Sequence, residues 1–258
     1  MKTIQIGILL LSLLTVGCTV PKVTRDRLTD GVASNGMPLL YQKGHDEPFT
    51  GVFVSYDDEG RKEWEWSYRD GIRSGISTWW YPSGQLQQRT MFRADKEDGE
   101  EISWYDNGQI EVRQYYHAGV LHGMYTYWHT NGFMAERHPY LNGSATGQEE
   151  EWYENGKRKL LGELRGGEFV GEMTMWYTNG TLRLQRWMDS SGGITNEVYR
   201  FPDGQKQCER IWENNGWKYL GEWDDHGNPI IGTEKQHDAL DPEPDWSFWH
   251  SGPPPSPD

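Results

Sequence analysis

Glycine recurs along this chain at a fixed step of 24 residues, and this periodicity limits what the chain can fold into. Each of these glycines closes a short turn-like triplet, such as Asp106-Asn107-Gly108. The column consists of Gly60, Gly84, Gly108, Gly132, Gly156, Gly180 and Gly204. A second column with the same step consists of Gly51, Gly75, Gly99, Gly123, Gly147 and Gly171. A constant internal period of this length indicates a repeat protein, in which each unit packs against its neighbours.

Each repeat has the pattern of a β-hairpin. Asn-Gly and Asp-Gly between apolar runs favour a tight turn, because glycine adopts positive φ without steric cost. A strand such as Gly171–Tyr177 precedes the turn, and apolar residues alternate after it, as at Leu182 and Leu184. One hairpin cannot bury its apolar face alone, so neighbouring hairpins must stack beside it. The sequence therefore predicts an all-β fold, an elongated array of antiparallel hairpins with about seven 24-residue repeats.

Two adjacent aromatic columns follow the same step. We expect the first column, four residues before the turn glycine, to form the structural core; it contains Trp80, Trp104, Trp128, Trp152 and Trp176. The next position supplies the candidate ligand-binding residues Tyr81, Tyr105, Tyr153, Tyr177 and Phe201. Adjacent strand residues point to opposite faces of a sheet. The second column therefore forms either an exposed ladder for a polysaccharide or an extended peptide, or a set of rings buried together with the tryptophans.

The composition indicates a core that is packed from aromatic rings rather than from aliphatic side chains. The chain has 31 Gly, 14 Trp and 14 Tyr among 258 residues, and its formal net charge is −14. A chain this acidic lacks the basic surface that nucleic-acid binding requires, so we expect no nucleic-acid partner. Its two cysteines, Cys18 and Cys208, are too few for a disulfide scaffold or a cysteine-rich zinc site.

The spacing G-x4-[WY]-[YFH]-x2-G-x-[LIM], followed by an aromatic residue eight positions after the turn glycine, resembles the MORN-repeat variant. The likeness covers residues 31–231, and Tyr41 with Pro48–Gly51 resembles the lead-in of such arrays. The resemblance implies an elongated, twisted antiparallel sheet of successive hairpins. We expect end caps over residues 31–50 and 205–231. The family is often labelled as antitoxin components of toxin–antitoxin pairs.

The N-terminus is typical of an export signal. Lys2 precedes a short apolar run, Ile4–Val16, which is too short to span a bilayer comfortably. The run ends in Gly17-Cys18, which resembles a bacterial lipobox, although Thr15 departs from the usual leucine. The resemblance implies a lipoprotein signal peptide over residues 1–17 and a lipid on Cys18. The alternative is an ordinary secretory signal with a coincidental cysteine.

The segments outside the repeats are interpreted as a tether and a tail. Residues 18–30 would be the lipidated cysteine and a short tether, and residues 232–258 a disordered, proline-rich acidic tail. The lipid would be the only membrane contact. Thr19 stands where an Asp would signal retention in the inner membrane. We therefore expect a lipid-anchored protein of the cell envelope, on the outer membrane facing the periplasm if the host is Gram-negative.

The sequence contains no recognisable catalytic or cofactor motif. GxSxG, HExxH, a phosphate-binding loop and a paired-cysteine metal motif are all missing, so we expect no enzyme activity, no cofactor and no metal. The best metal candidate is a histidine group in two adjacent repeats: His117, His122, His129 and His138. Its spacing matches no known site, and His129 simply replaces a ring of the tyrosine column. The run Glu149–Glu151 is expected to lie on a solvated face.

These observations favour a non-catalytic scaffold anchored in the cell envelope by a lipid, which binds an unknown envelope protein through its long sheet. Two alternatives stay open. One is an immunity or antitoxin protein that neutralises a basic toxin by charge complementarity. The other is a binder of peptidoglycan or another polysaccharide, acting through the tyrosine column.

The lipidation hypothesis makes a direct prediction. Cys18→Ser is expected to abolish incorporation of radiolabelled fatty acid and to move the protein from the membrane fraction to the soluble fraction. Cys208→Ser is the matched control, because it removes the only other thiol and should leave the label unchanged. Retention of the label in Cys18→Ser would contradict a lipid on Cys18.

Overall fold

A computed structural model describes residues 21–32, 38–213 and 216–230. Among these residues the chain is almost entirely β-strand, with one 3-10 turn over Arg25–Arg27. The strands are β1 (Lys22–Val23), β2 (Leu28–Val32), β3 (Pro38–Gln42), β4 (Gly51–Tyr56), β5 (Lys62–Arg69), β6 (Ile72–Trp80), β7 (Leu86–Arg93), β8 (Lys96–Trp104), β9 (Ile110–His117), β10 (Val120–Leu121), β11 (Gly123–Trp128), β12 (Met134–Leu141), β13 (Ser144–Ala145), β14 (Gly147–Trp152), β15 (Arg158–Arg165), β16 (Glu168–Trp176), β17 (Leu182–Met188), β18 (Ile194–Arg200), β19 (Lys206–Glu213) and β20 (Gly216–Glu222).

Apart from the short β10 and β13, the strands from β4 to β20 pair in chain order, each antiparallel to the next. The short β10 and β13 extend two of the hairpins by pairing with β9 and β12. At the N-terminal end β1 pairs with β4 in parallel, which completes an 18-stranded sheet, while β2 and β3 form a separate hairpin. The predicted all-β array of antiparallel hairpins is confirmed.

One kind of turn closes the hairpin inside each repeat. The Gly84 amide donates to the Tyr81 carbonyl at 2.8 Å, and the Tyr81 amide donates to the Gln85 carbonyl at 2.8 Å. Gly84 has φ +87°, so this is a tight turn followed by a left-handed residue, for which glycine is the default. The same amide–carbonyl bond recurs at Gly60, Gly108, Gly132, Gly156, Gly180 and Gly204.

A second kind of turn joins one repeat to the next. Between β7 and β8, Ala94 and Asp95 both have positive φ, at 51° and 64°. This is the two-residue hairpin turn that matches the twist of the flanking strands. The corresponding pairs are Asp70-Gly71, Ala118-Gly119, Asn142-Gly143 and Gly166-Gly167.

The second glycine column provides space for side chains of the neighbouring strand. A Cβ atom on Gly99 would lie 3.2 Å from the Met91 Cβ, and one on Gly147 would lie 2.9 Å from the Pro139 Cγ. Glycine is therefore required at these positions by close approach as well as by the positive φ of the backbone.

Two apolar clusters lie toward the two ends of the array. The first comprises Leu160, Met173, Met175, Leu184 and Met188. The second comprises Leu28, Leu40, Phe49 and Phe53. Leu28 is 2% exposed and β1 belongs to the sheet, so residues 21–30 are part of the fold rather than the tether expected from the sequence. The signal peptide, Cys18 and the tail over residues 232–258 lie outside the described residues.

The five tryptophans expected to form the core are not among its most buried residues. All five tryptophans of that column are half-buried, whereas the residue before them is buried in several repeats, as at Trp79, Glu151 and Met175. The pairing register shifts by one residue at each tryptophan, as between Trp79 and Trp80, so simple alternation does not decide which face the tryptophan is on. Trp79 and Trp80 pair with Gln88 and Leu86, which lie on the same face of β7.

No helix in the described parts of the chain has the length and apolar character needed to cross a membrane.

Gly84 offers a clean test of the first turn, because an added methyl group would meet no atom within 4 Å. Gly84→Ala is expected to lower the free energy of unfolding by about 1–2 kcal/mol, since alanine disfavours the left-handed conformation. Gly84→Asn should cost less, because asparagine visits that conformation more readily. Urea denaturation measures both losses. Equal losses for the two variants would contradict a backbone cause.

Candidate functional site: a polar row in the core and an exposed strip

The tyrosine column links consecutive repeats. The Tyr153 hydroxyl donates to the Trp176 carbonyl at 2.6 Å, and the Tyr105 hydroxyl donates to the Trp128 carbonyl at 2.7 Å. Tyr81 and Tyr177 make the same bond to residues 104 and 200. Their rings and that of Phe201, which has no hydroxyl, are half-buried. The four tyrosine hydroxyls are therefore already engaged in holding the array together.

His129 takes the place of a tyrosine in this column. Its Nε2 atom lies 2.9 Å from the Trp152 carbonyl oxygen, which is the contact that a tyrosine hydroxyl makes elsewhere. This geometry agrees with the interpretation of His129 as a replacement for a ring. The nearby His117 and His122 are exposed, with ring centroids 6.2 Å apart.

Asparagines at the turns add a second set of links. The Asn155 Oδ1 accepts from the Lys157 amide at 3.0 Å within its own turn, and its Nδ2 donates to the Thr178 carbonyl at 2.9 Å in the next repeat. Asn107, Asn131 and Asn179 make equivalent inter-repeat bonds. The turn edge of the sheet is thus joined by side chains as well as by backbone.

A continuous row of side chains crosses the middle of the enclosed face, and we call it the central row. Its members lie on successive strands: Ser77, Thr90, Glu101, Gln114, Tyr125, His138, Glu149, Gly162, Met173, Arg186, Glu197 and Arg210. Most are polar, yet Ser77, Glu149 and Glu197 are fully buried. The expectation of a solvated Glu149–Glu151 run is wrong, since these residues are at most 6% exposed.

Three glutamates of the central row are 48 residues apart, and their partners differ. Glu101 accepts hydrogen bonds from Thr90 Oγ1 at 2.7 Å and Gln114 Nε2 at 2.6 Å, as well as from Gln88. Glu197 contacts two guanidinium groups, with Arg186 Nε at 2.5 Å and Arg210 Nε at 2.7 Å. A buried carboxylate requires compensation of this kind.

Glu149 has a different environment. Its Oε2 lies 2.6 Å from His138 Nδ1, and the same nitrogen lies 3.3 Å from Glu136 Oε1. Burial raises the pKa of Glu149, and the contact with His138 opposes that rise. Burial by itself lowers the pKa of His138, but the two carboxylates outweigh this effect and raise it. Glu151 on the same face pairs with Lys159 at 2.7 Å.

The spacing of three glutamates is a signal for this row in the sequence. Glu101, Glu149 and Glu197 recur at twice the repeat length, and a residue 11 positions before each of them supplies its partner. The histidine group singled out from the sequence does not form one cluster, because only His138 lies in the central row.

The opposite face carries an exposed strip of apolar side chains, which we call the Met91 strip. It consists of Ile76, Met91, Tyr115 and Met124, each between 36% and 46% exposed. Ile76 pairs directly with Met91, and Tyr115 packs beside the glycine column at Gly123. These positions lie on β6, β7, β9 and β11.

Arginines flank the Met91 strip at the repeat period. Arg89, Arg113 and Arg137 are 24 residues apart, and each precedes a strip-column residue by two positions. Arg113 Nε lies 3.5 Å from Glu100, Arg137 pairs with Glu150, and Arg89 lies 5.9 Å from the Trp104 ring centroid. The strip is therefore an apolar surface flanked by arginines, two of which are paired with glutamates.

The family described as MORN repeat variant matches residues 73–94 and 97–118. Each matched segment contains one strand–turn–strand unit of the sheet, β6–β7 and β8–β9. The match supports the resemblance drawn from the sequence, and the same turns continue on both sides of the matched segments. A comparison with curated proteins finds no match to the chain.

The buried glutamates predict an asymmetry between two isosteric changes. Glu197→Gln is expected to cost about 3–5 kcal/mol, because it leaves Arg186 and Arg210 facing an amide that cannot balance their charge. Glu101→Gln should cost only about 1 kcal/mol, since the Gln114 amide can rotate and accept a hydrogen bond. Chemical denaturation of both variants measures the difference. A cost for Glu101→Gln equal to that of Glu197→Gln would contradict the assigned partners.

Proposed function

We propose that this protein is a non-catalytic repeat scaffold that binds a protein partner through the Met91 strip. The observation that supports the proposal is the strip itself: four exposed apolar side chains on β6, β7, β9 and β11, beside a column of arginines. Protein interfaces are enriched in Tyr, Met and Arg, and are depleted in Lys and Glu. Hairpin strands held by backbone pairing present such side chains on a rigid surface, which lowers the entropic cost of binding.

The strip is local, and the same column changes character along the chain. Met91 and Tyr115 are followed at the repeat step by Pro139 and Glu163. Glu163 and Glu172 make the later part of this face acidic and exposed. A partner that recognises the apolar, arginine-flanked part would therefore bind the N-terminal half of the array. If the partner is acidic, the acidic later half would repel it.

We further propose that a lipid on Cys18 anchors the scaffold in the cell envelope, on the outer membrane in a Gram-negative host. The support is the signal-peptide pattern of residues 1–18 together with Thr19. The described chain begins at Pro21 and enters the sheet at Lys22. In this arrangement the N-terminal end of the sheet would be held close to the membrane, with the Met91 strip beyond it.

The immunity and glycan alternatives predict other behaviour. An immunity protein would protect cells that express a neighbouring toxin gene, and deletion without any effect on growth beside such a toxin would exclude it. A glycan binder would use the tyrosine column, whose hydroxyls already donate to backbone carbonyls. Replacement of Tyr105, Tyr153 and Tyr177 by Phe leaves the rings in place, and replacement by Ala removes them. Equal retention of both variants on peptidoglycan would exclude that role.

Site-specific photo-crosslinking in living cells tests the proposed partner surface. A crosslinking amino acid at Met91 or Tyr115 is expected to capture one defined protein. The same amino acid at Glu163, in the same column two repeats after Tyr115, is the matched control and should capture none. Tyr115→Glu should abolish co-purification of that protein while leaving the unfolding midpoint within a few degrees of the wild type. Equal capture at all three positions, or at none, would contradict the proposal.

A further inference from the structure

The enclosed face carries more carboxylates than cations where β12 meets β14. Glu136, Glu149 and Glu151 lie on this part of the enclosed face, and Lys159 is paired with Glu151. Glu149 is fully buried and Glu151 is 5% exposed. His138, at 4% exposure, lies between Glu136 and Glu149. Buried negative charge of this density requires a compensating cation.

The atoms of this group converge on one point. The His138 Nδ1, a Glu136 oxygen and a Glu149 oxygen all lie within 4.8 Å of one another. A single ring nitrogen has one hydrogen at most, so it cannot satisfy two carboxylates equally. Among the described residues, both ring nitrogens of His138 and both carboxylate oxygens of Glu149 are buried without a hydrogen bond of ordinary geometry.

The two equivalent glutamates show what is missing here. Thirteen residues after Glu101 stands Gln114, and thirteen residues after Glu197 stands Arg210; each donates to its glutamate. The corresponding residue after Glu149 is Gly162. A Cβ atom on Gly162 would lie 2.7 Å from the Phe169 ring, so an apolar ring occupies the space that a donor fills in the other two sites.

We propose that Glu136, His138 and Glu149 bind a divalent transition-metal ion, of the class that Zn²⁺ and Mn²⁺ represent. One imidazole and two carboxylates are suitable ligands for such ions. Ligand atoms about 2.1 Å from a tetrahedral ion lie about 3.4 Å apart. The Nδ1–Glu136 distance of 3.3 Å already fits, and the Nδ1–Glu149 distance of 2.6 Å needs to open slightly.

The ion would act as a structural link in the middle of the array. Glu136 and His138 belong to β12, and Glu149 belongs to β14, so the ion joins two consecutive repeats where the central row lacks its usual donor. It also neutralises the charge that the row leaves uncompensated. Binding of this kind adds to folding stability, because the assembled ligand set exists only in the folded chain.

Metal binding by the full chain tests the proposal. The protein is stripped with a chelator, dialysed, and titrated with Zn²⁺ or Mn²⁺, and the bound metal is measured by mass spectrometry after gel filtration. We expect one equivalent per chain, and a rise in Tm of about 5–10 °C at a hundredfold excess of metal over Kd. Substitution with Co²⁺ should give visible absorption bands that disappear with the variants below.

Matched variants separate this site from other acidic or histidine-rich surfaces. Glu149→Gln and Glu136→Gln should each weaken binding at least about tenfold, in the range typical for loss of a metal-site group. Glu101→Gln, in the same column, and the double variant His117→Gln/His122→Gln should bind as the wild type does. If Glu149→Gln fails to fold, Glu136→Gln decides the result, because Glu136 is only half-buried.

Two results would overturn the proposal. One is a folded, chelator-treated chain that takes up no metal, in which case His138 balances the carboxylates as a protonated ring. The other is metal uptake that neither Glu136→Gln nor Glu149→Gln weakens, which would place the bound ion elsewhere.

Discussion

The structure depends on hydrogen bonds between one repeat and the next, because a single hairpin cannot enclose its own face. Backbone pairing supplies most of these bonds, and side chains at the turn edge supply the rest. The Tyr153 hydroxyl and the Asn155 amide both reach carbonyls in the following repeat. The most regular residues of the repeat are therefore used for assembly. Other positions vary from repeat to repeat, such as the column that contains Met91 and Glu163. The surface of the sheet therefore differs from one region to the next.

The central row adds a constraint that the repeats alone do not contain. If neighbouring repeats paired one repeat out of register, the turn glycines and both aromatic columns would still align, since these recur at 24 residues. This pairing would not preserve the glutamates of the central row, which recur at 48 residues. Such a shift in register would place a buried carboxylate opposite a residue that cannot donate to it, at a cost of several kcal/mol. The polar core thus favours one register among several that satisfy the turns.

Periodicity and turn chemistry were sufficient to predict the hairpins. Gly84 and Asn107 require particular local conformations, and those conformations are present. The solvated Glu149–Glu151 run was predicted wrongly, because the sequence along the strand does not show that Glu150 and Glu151 have cationic partners on adjacent strands. The burial of the tryptophan column could not be predicted from alternation along the strand, because a bulge at each tryptophan breaks that alternation. Grouping the histidines by repeat also failed, since His129 and His138 occupy different columns and point to different neighbours.

The sequence by itself determined the all-β class, the repeat length and the sites of the turns, because these follow from local backbone preferences at glycine and asparagine. Only the tertiary structure decided which side chains are buried, because burial depends on which side chains of paired strands lie beside one another. It also decided that Glu136, His138 and Glu149 meet. Residues on separate strands come together only when the pairing register is set. The order of residues along the chain therefore does not show which side chains are neighbours across the sheet.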